Sequence, residues 1–225
     1  NGVSSSYYNT TVRNCTILSF HNGVYLSGSS DGILEYNNLS ENLRGAYLDY
    51  ESDNNKILYN EVSLNEQGLY LDSADNNEIA NNLLLGNSDS SYGGEALLLP
   101  NSVNTQVHDN TILGGGIGGK GISLISELGT SLINNFIANL QYGIYLSSSN
   151  GINITGNTIV NTTYGIYLDS SVNSIVKDNY VENSSYGAYL VGGNGVHILI
   201  NNTFINSINA SFYIGSSNNI ILENK

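Results

Sequence analysis

The chain has 225 residues, of which 19 are acidic and 6 are basic, so its formal net charge is −13. Such a surface repels phosphate backbones and anionic membranes, which argues against nucleic acid as a partner. With 17 Tyr, 25 Gly, 1 Pro and no Met or Trp, the composition favours strands and turns over helices, and the single Cys excludes an internal disulfide.

In chain order, the first recurring element is a four-residue block of the form Gly-apolar-Tyr-Leu. Clear copies lie at residues 23–26, 45–48, 68–71, 143–146, 165–168 and 187–190, and degenerate copies lie at 95–98, 121–124 and 211–214. Successive copies begin 22 to 27 residues apart. In an extended strand the second and fourth residues of the block point to one side and the Tyr points to the other. Each block therefore predicts a short strand with one buried face.

A second element, apolar-x-x-Asn-x-apolar, follows each block. The asparagines of this element form what we call the Asn column, with Cys15 in the equivalent place of the first, partial repeat. If the repeats stack as coils, equivalent residues lie above one another, so this column should be an internal ladder of amides at a bend. Its members are Asn37, Asn60, Asn82, Asn110, Asn135, Asn157, Asn179, Asn202 and Asn224.

Each repeat supplies four inward apolar residues, too few for a core of its own, whereas stacked repeats bury a continuous core. The pattern predicts an all-β, single-stranded parallel β-helix of about ten coils with repeats of about 22 residues. We expect a right-handed coil, as parallel crossovers are. Residues 1–225 should form one domain, and because they begin and end within repeats, we expect them to be a fragment of a larger protein.

The run Gly-Ile-Tyr-Leu-Ser-Ser-Ser at residues 143–149, followed by Asn-x-Ile units, resembles the parallel β-helix repeats of NosD-like proteins. It also resembles repeat domains of archaeal surface and surface-layer proteins. The wider pectin-lyase-like fold includes lyases, hydrolases, epimerases, adhesins and structural rods, so the resemblance implies a fold more than an activity. NosD is associated with copper-site maturation, but His21, His108 and His197 fall in different repeats and Cys15 is isolated, so we expect no copper site here.

Acidic residues recur just after the strand of the Gly-Tyr block. Asp49 and Asp72 hold the same position of adjacent repeats and should lie roughly 5 Å apart, with Asp53 and Asp75 close by. Solvated carboxylates, a site for Ca²⁺ or a similar cation, and a catalytic pair are the three interpretations. The Gly-His-Gly and Arg-x-Lys motifs of related glycosidases are absent, and we expect Arg44 to form no cluster with Asp49.

The two longest repeats are adjacent, and their extra residues fall at one corner, near 87–94 and 113–120. These repeats also lose the Tyr of the block, which Leu97 and Ser123 replace. Insertions on one side of a solenoid often flank its binding surface, but we favour a tolerated loop insertion here. The residues predicted to line such a shallow site are Asp89, Tyr92, Glu95 and Lys120.

The tyrosines should form outward rows that either bind sugars or a protein, or stabilise the stack by cross-strand pairing, and we favour the structural role. One row contains Tyr25, Tyr47 and Tyr70; a second contains Tyr145, Tyr167, Tyr189 and Tyr213; a third, just before the Gly, contains Tyr142, Tyr164 and Tyr186.

Glycosylation sequons of the form Asn-X-Ser/Thr favour a secreted protein, although a chain rich in Asn, Ser and Thr contains some by chance. They predict an extracellular or cell-surface location. The candidate acceptors are Asn9, Asn14, Asn38, Asn153, Asn161, Asn183, Asn201 and Asn209.

Together these features predict a non-enzymatic extracellular repeat domain, structural or adhesive, of the surface-layer or cell-surface type, with carbohydrate as its candidate ligand. The alternative is a carbohydrate-active enzyme of the pectin-lyase-like fold: a polysaccharide lyase, hydrolase or epimerase. We expect no cofactor other than the Ca²⁺ considered above, and no insertion of this segment into a membrane, since no apolar run is long enough. Uncovered coils expose strand edges, so adjoining domains of the same protein or like subunits are the expected partners.

Overall fold

The computed structural model describes residues 1–87, 94–115 and 118–225. All regular elements in these ranges are β-strands, and successive coils pair in parallel and in register. The strands form ten coils, each with three faces. None of the described segments is a helix of the length and apolarity needed to cross a bilayer. The predicted parallel β-helix of about ten coils is confirmed.

The first face, called the Tyr sheet, carries the Gly-Tyr blocks. Its strands are Val3–Ser5, Asn22–Ser27, Arg44–Asp49, Gln67–Asp72, Glu95–Pro100, Lys120–Ile125, Phe136–Ser147, Thr158–Asp169, Tyr186–Val191 and Ala210–Gly215.

The second face leads to the Asn column. Its strands are Thr11–Arg13, Ile33–Glu35, Lys56–Leu58, Glu78–Ala80, Gln106–His108, Ser131–Ile133, Asn153–Thr155, Ile175–Lys177, Ile198–Ile200 and Ile220–Leu222.

The third face follows the Asn column and returns to the Tyr sheet. The strands Phe136–Ser147 and Thr158–Asp169 begin on this face and continue without interruption into the Tyr sheet. The remaining strands of the third face are Thr16–Leu18, Asn38–Ser40, Glu61–Ser63, Leu83–Leu85, Thr111–Leu113, Tyr180–Glu182 and Thr203–Ile205.

The core consists of the inward residues that the repeat predicts. In the second coil Val24 and Leu26 come from the Tyr sheet, Leu34 from the second face and Leu39 from the third, and all four are fully buried. Equivalent residues continue this cluster from Val12 to Phe204. Because each coil contributes so few side chains, burial depends on the coils above and below it.

The Asn column lies inside the bend between the second and third faces. The Asn37 backbone N–H and Nδ2 both donate to Asn60 Oδ1, at 3.0 and 2.9 Å, and Nδ2 also donates to the Val12 carbonyl at 2.9 Å. The same pattern continues to Asn202 and Asn224. Since each amide is used by the neighbouring coil, a buried polar side chain becomes a connector between coils.

The register corrects one part of the sequence alignment. Tyr70 pairs with Leu98, which pairs with Ser123, so Leu98 and not Leu97 stands in the Tyr column, while Leu97 points into the core. The error arose because the insertion before this coil makes the repeat one residue longer than the Glu-Ala-Leu-Leu alignment assumed, and a shift of one residue exchanges the two sides of a strand.

Candidate functional site

Outward residues of the Tyr sheet form three columns that run from coil to coil. The first column reads Arg44, Gln67, Glu95, Lys120, Tyr142, Tyr164 and Tyr186. The second reads Tyr25, Tyr47, Tyr70, Leu98, Ser123, Tyr145, Tyr167, Tyr189 and Tyr213. The third reads Ser27, Asp49, Asp72, Pro100, Ile125, Ser147 and Asp169.

The tyrosines at the C-terminal end of the sheet pack in a herringbone, which we call the C-terminal stack (Tyr142, Tyr145, Tyr164, Tyr167, Tyr186, Tyr189 and Tyr213). The Tyr145 and Tyr167 rings stack at 5.4 Å between centroids, and Tyr164 meets Tyr167 edge to face at 5.1 Å. Ring faces that cover one another in this way are not open to a ligand. The geometry therefore supports the structural role that the sequence favoured for these rows.

The N-terminal stack (Tyr25, Tyr47 and Tyr70) has an arginine beside its rings. The Arg44 guanidinium lies 4.9 and 5.1 Å from the Tyr47 and Tyr70 ring centroids, and its Nε donates to Gln67 Oε1 at 2.8 Å. Arg44 opens the same strand that Asp49 closes. The sequence did not predict this contact of Arg44 with the aromatic rings.

Tyrosine hydroxyls contact the paired carboxylates Asp49 and Asp72. Tyr25 donates to Asp49 Oδ2 at 2.9 Å, and Tyr70 donates to Asp72 Oδ2 at 3.4 Å. Burial and the nearby Asp49 raise the pKa of Tyr47 to about 12, and burial together with Asp72 raises the pKa of Tyr70. These phenols consequently remain protonated donors at neutral pH. Asp49 and Asp72 occupy paired positions of adjacent strands, as predicted.

Asp53 and Asp75 use their carboxylates for backbone contacts at the next corner. Asp53 Oδ1 accepts from the Asp75 N–H at 2.7 Å, and Asp75 Oδ1 accepts from the Val103 N–H at 2.8 Å. Within the described ranges neither side chain is hydrogen-bonded to Asp49 or Asp72. These hydrogen bonds link each of the two carboxylates to the backbone of the next coil.

Glu95 and Lys120 face each other between the two tyrosine stacks, with Oε1 and Nζ 3.0 Å apart. Lys120 Nζ also lies 4.5 Å from the Tyr145 ring centroid. The neighbouring Leu98 and Ser123 are buried, although strand alternation turns them outward. Asp89 and Tyr92, the other residues predicted to line this site, lie outside the described residues. The described part is a closed contact, not an open cleft.

Glu127 is a buried carboxyl group that sequence reasoning missed. It occupies a column of serines inside the corner after the Tyr sheet, where Oε1 accepts from the Ser102 N–H at 2.6 Å and Oε2 from the Thr130 hydroxyl at 2.7 Å. Burial raises its pKa to about 8. At 1 % exposure it cannot touch a ligand, so its perturbed pKa concerns stability.

A comparison with protein-family models identifies the chain. The model described as the periplasmic copper-binding protein NosD matches residues 1–117 and 90–224. The chain belongs to the NosD family. A search of curated proteins returns no match.

Solved structures resemble this NosD-family domain in fold. A DFA-IIIase from Arthrobacter chlorophenolicus without its lid has a TM-score of 0.65 at 13% identity, over 89% of this chain and 55% of that one. A double mutant of a periplasmic alginate epimerase gives 0.61 at 17%, over 92% and 49%. An α-1,3-glucanase catalytic domain in complex with tetrasaccharides gives 0.57 at 12%, over 99% and 56%. The chain thus spans about half the length of these proteins.

The copper named in the NosD family description does not fit the described residues. His197 is buried, with Nδ1 accepting from the Ser174 N–H and Nε2 against the Ser171 carbonyl. His108 lies on the second face, where it contacts Glu78 and Asp109. The described ranges contain no cluster of three or more His, Cys, Asp or Glu side chains suited to a metal. The His, Cys, Asp and Glu side chains of the described ranges therefore assemble no ligand set for copper.

Backbone geometry accounts for many of the sequons. Five of the eight sequon asparagines have a positive φ, namely Asn9, Asn14, Asn161, Asn183 and Asn201. Asn is, after Gly, the residue that best tolerates the left-handed region, so a β-helix corner selects it for conformational reasons. Glycosylation at these positions, and at Asn38, Asn153 and Asn209, stays a prediction.

Proposed function

We propose that this NosD-family domain binds carbohydrate without transforming it, through the outward surface of the N-terminal stack. The observation that carries the proposal is the grouping of Arg44, Gln67, Asp49 and Asp72 around half-buried tyrosine rings. This surface offers fixed donors, acceptors and aromatic edges on a rigid sheet, which is the combination that sugar hydroxyls and ring C–H groups use.

The related structures support carbohydrate as the ligand class. One is an alginate epimerase by name, and another was solved with tetrasaccharides bound. Their identity to this chain is low, so the likeness supports the fold, and the ligand rests on the chemistry of the surface itself.

Binding without catalysis follows from how the carboxylates are used. Asp49 and Asp72 accept from tyrosine hydroxyls, Asp53 and Asp75 accept from backbone amides, and Glu95 pairs with Lys120. Glycoside hydrolysis needs one carboxyl group free to donate a proton and a second one facing it across the bond. In the described ranges none of the five predicted carboxylates is arranged in that way.

The description of the family as periplasmic supports a location outside the cytoplasm. Within that compartment, we favour a structural or adhesive role at the cell surface, of the surface-layer type. The regular, repeated coil suits a rod that carries a binding surface, because its stability is spread over many equivalent layers.

A carbohydrate-active enzyme is the second candidate. Asp49 Oδ1 is buried and has no hydrogen-bond partner, and Asp72 occupies the paired position of the next strand. A carboxylate with an unused oxygen beside a second carboxylate is the one feature here that would suit lyase, hydrolase or epimerase chemistry.

Affinity electrophoresis in gels that contain alginate, polygalacturonate, α-1,3-glucan or β-1,3-glucan tests the proposal. We expect retardation by at least one polysaccharide, with no new reducing ends, unsaturated products or epimerised residues after prolonged incubation. The Arg44→Ala/Gln67→Ala variant should bind roughly tenfold more weakly. Tyr164→Phe in the C-terminal stack is the matched control and should bind normally.

Two results would overturn this assignment. Product formation that disappears in Asp49→Asn/Asp72→Asn would establish the enzyme in place of the binding domain. Normal binding by the folded Arg44→Ala/Gln67→Ala variant would move the site away from the N-terminal stack.

A further inference from the structure

Left-handed corner residues reveal a second unusual surface. In the described ranges 30 non-Gly residues have a positive φ, and 23 of them are Asn, Asp or Ser, with Asn and Asp the types most expected there. Apart from Glu223 in the last coil, the exceptions all fall within residues 36–64. They are Tyr36, Glu41, Tyr50, Glu51, Tyr59 and Leu64.

Tyr36 and Tyr59 occupy one column at the corner between the second and third faces. Both have φ 55, and their backbone N–H groups bond to the next coil in the same way as those of Asn14 and Asn81. The two rings stack on each other, 5.1 Å between centroids and 5° from parallel. They are nevertheless 51% and 49% exposed.

Packing alone does not account for this pair. Two aromatic residues in the left-handed region carry a conformational cost that Asn would largely avoid. An exposed ring pair recovers only part of that cost, because water covers much of its surface. Where strain persists without compensation inside the fold, a function for the strained side chains is the usual reason.

We infer that Tyr36 and Tyr59 form a carbohydrate-binding platform for neutral sugars. In the described ranges no other aromatic ring stacks on either one, so the outer face of each ring is not covered by an aromatic neighbour. The column continues into the amide side chains of Asn14 and Asn81, which can donate to and accept from sugar hydroxyls.

The charges at this corner favour a neutral over an anionic sugar. Arg13 is already paired with Glu35, at 3.2 Å between Nη2 and Oε1. The next cation on the second face, Lys56, is paired with Glu78 at 3.1 Å. A uronate would therefore meet carboxylates without a free cation, whereas a neutral ring needs only an aromatic face and hydrogen bonds.

This platform lies on a different corner from the N-terminal stack and does not depend on the function proposed above. The test is a Tyr36→Asn/Tyr59→Asn variant, which installs the residue that the same column uses elsewhere. We expect it to fold, to unfold about 2–4 °C higher because strain is relieved, and to bind β-1,3-glucan, mannan or dextran roughly tenfold more weakly in affinity electrophoresis. Tyr50→Asn is the matched control, since Tyr50 is also exposed and left-handed but lies at another corner.

Each outcome is decisive. Unchanged affinity for every neutral polysaccharide, or a variant less stable than the parent, would overturn the platform and leave the ring pair as packing. Loss of neutral-glucan binding in Tyr36→Asn/Tyr59→Asn but not in Arg44→Ala/Gln67→Ala would establish the platform independently of the Tyr sheet. Loss of neutral-glucan binding in Arg44→Ala/Gln67→Ala but not in Tyr36→Asn/Tyr59→Asn would leave the N-terminal stack as the only binding surface supported.

Discussion

The two tyrosine stacks of the Tyr sheet share one fold, one register and one column of rings, yet they differ in what stands beside the rings. Within the C-terminal stack the first column supplies Tyr164, which meets Tyr167 and Tyr189 edge to face. Next to the N-terminal stack the same column supplies Arg44, which contacts Tyr47 and Tyr70.

We propose that this difference separates packing from recognition in this repeat protein. A tyrosine in the first column covers its neighbours and closes the surface. An arginine in that column places a half-buried, charged donor group among the rings. Both regions keep the same parallel pairing within the Tyr sheet, so the residue type of the first column decides which part of the sheet can present polar groups to a ligand.

The largest predicted effect is a pH dependence of folding stability caused by Glu127, which lies in a coil between the two stacks. The pKa of Glu127 is about 8 in the folded chain and near 4.5 when exposed, so the folded state binds the extra proton between these values. Stability is therefore greatest below pH 4.5 for this group and declines as pH rises through about 8, by a few kcal/mol.

Glu127→Gln can keep both hydrogen bonds without the charge, and it should remove most of that decline. Denaturant unfolding at several pH values measures the difference between variant and parent. Glu66→Gln, at an exposed carboxylate, is the control and should change little. Parallel pH profiles for the parent and Glu127→Gln would show that the buried carboxyl does not titrate as argued.

The next effect is a difference in the free energy of unfolding between variants of the two stacks. Tyr164→Ala removes a half-buried ring from the herringbone and should cost about 2–3 kcal/mol. Arg44→Ala removes the contacts of a half-buried guanidinium with the Tyr47 and Tyr70 rings and should cost about 1 kcal/mol. Urea unfolding of both variants measures the difference, with Tyr164→Phe as a control that keeps the ring. Equal losses would mean that both first-column residues are packing residues.

The smallest effect concerns the phenols at alkaline pH. Burial and Asp49 raise the pKa of Tyr47 to about 12, and burial and Asp169 do the same for Tyr167. Since the folded pKa exceeds the unfolded value near 10, this contribution to stability is complete below pH 10 and is lost as pH rises through about 12.

Phenolate absorbance during an alkaline titration follows these groups. Asp49→Asn should lower the pKa of Tyr47 and leave that of Tyr167 unchanged, whereas Asp169→Asn should do the reverse. Arg44→Ala should raise the pKa of Tyr47, because the guanidinium now lowers it. A shift of both phenols by either acidic variant would contradict the separation of the two stacks.

The repeat pattern predicts much of the candidate site. The predictions that failed have a common cause. The outward rows of tyrosine and the paired positions of Asp49 and Asp72 were predicted because both follow from stacking one coil on the next. Leu98 was misassigned because the repeat lengthens there. The contact of Arg44 with Tyr47 and Tyr70 was missed because it depends on a side-chain direction across a coil boundary.

Corners were the least predictable part. A second run of stacked amides, Asn42, Asn65 and Asn87, holds the corner between the third face and the Tyr sheet, with the Asn42 N–H donating to Asn65 Oδ1 at 2.8 Å. The repeat pattern did not reveal this run, because it is present only in the first coils. Nor does the sequence indicate that Tyr36 and Tyr59 adopt a left-handed backbone, since tyrosine is not a residue that signals one.

The sequence by itself determined the coil, its period, its four inward residues and the bend at the Asn column, because period-two alternation and a repeat near 22 residues suit stacked parallel strands. Only the tertiary structure decided which outward side chains contact each other and which carboxylates have hydrogen-bond or ion-pair partners within the fold. It also decided that Glu127 is buried. Those contacts form between residues that are distant in sequence, and a change of one residue in corner length is enough to rearrange them.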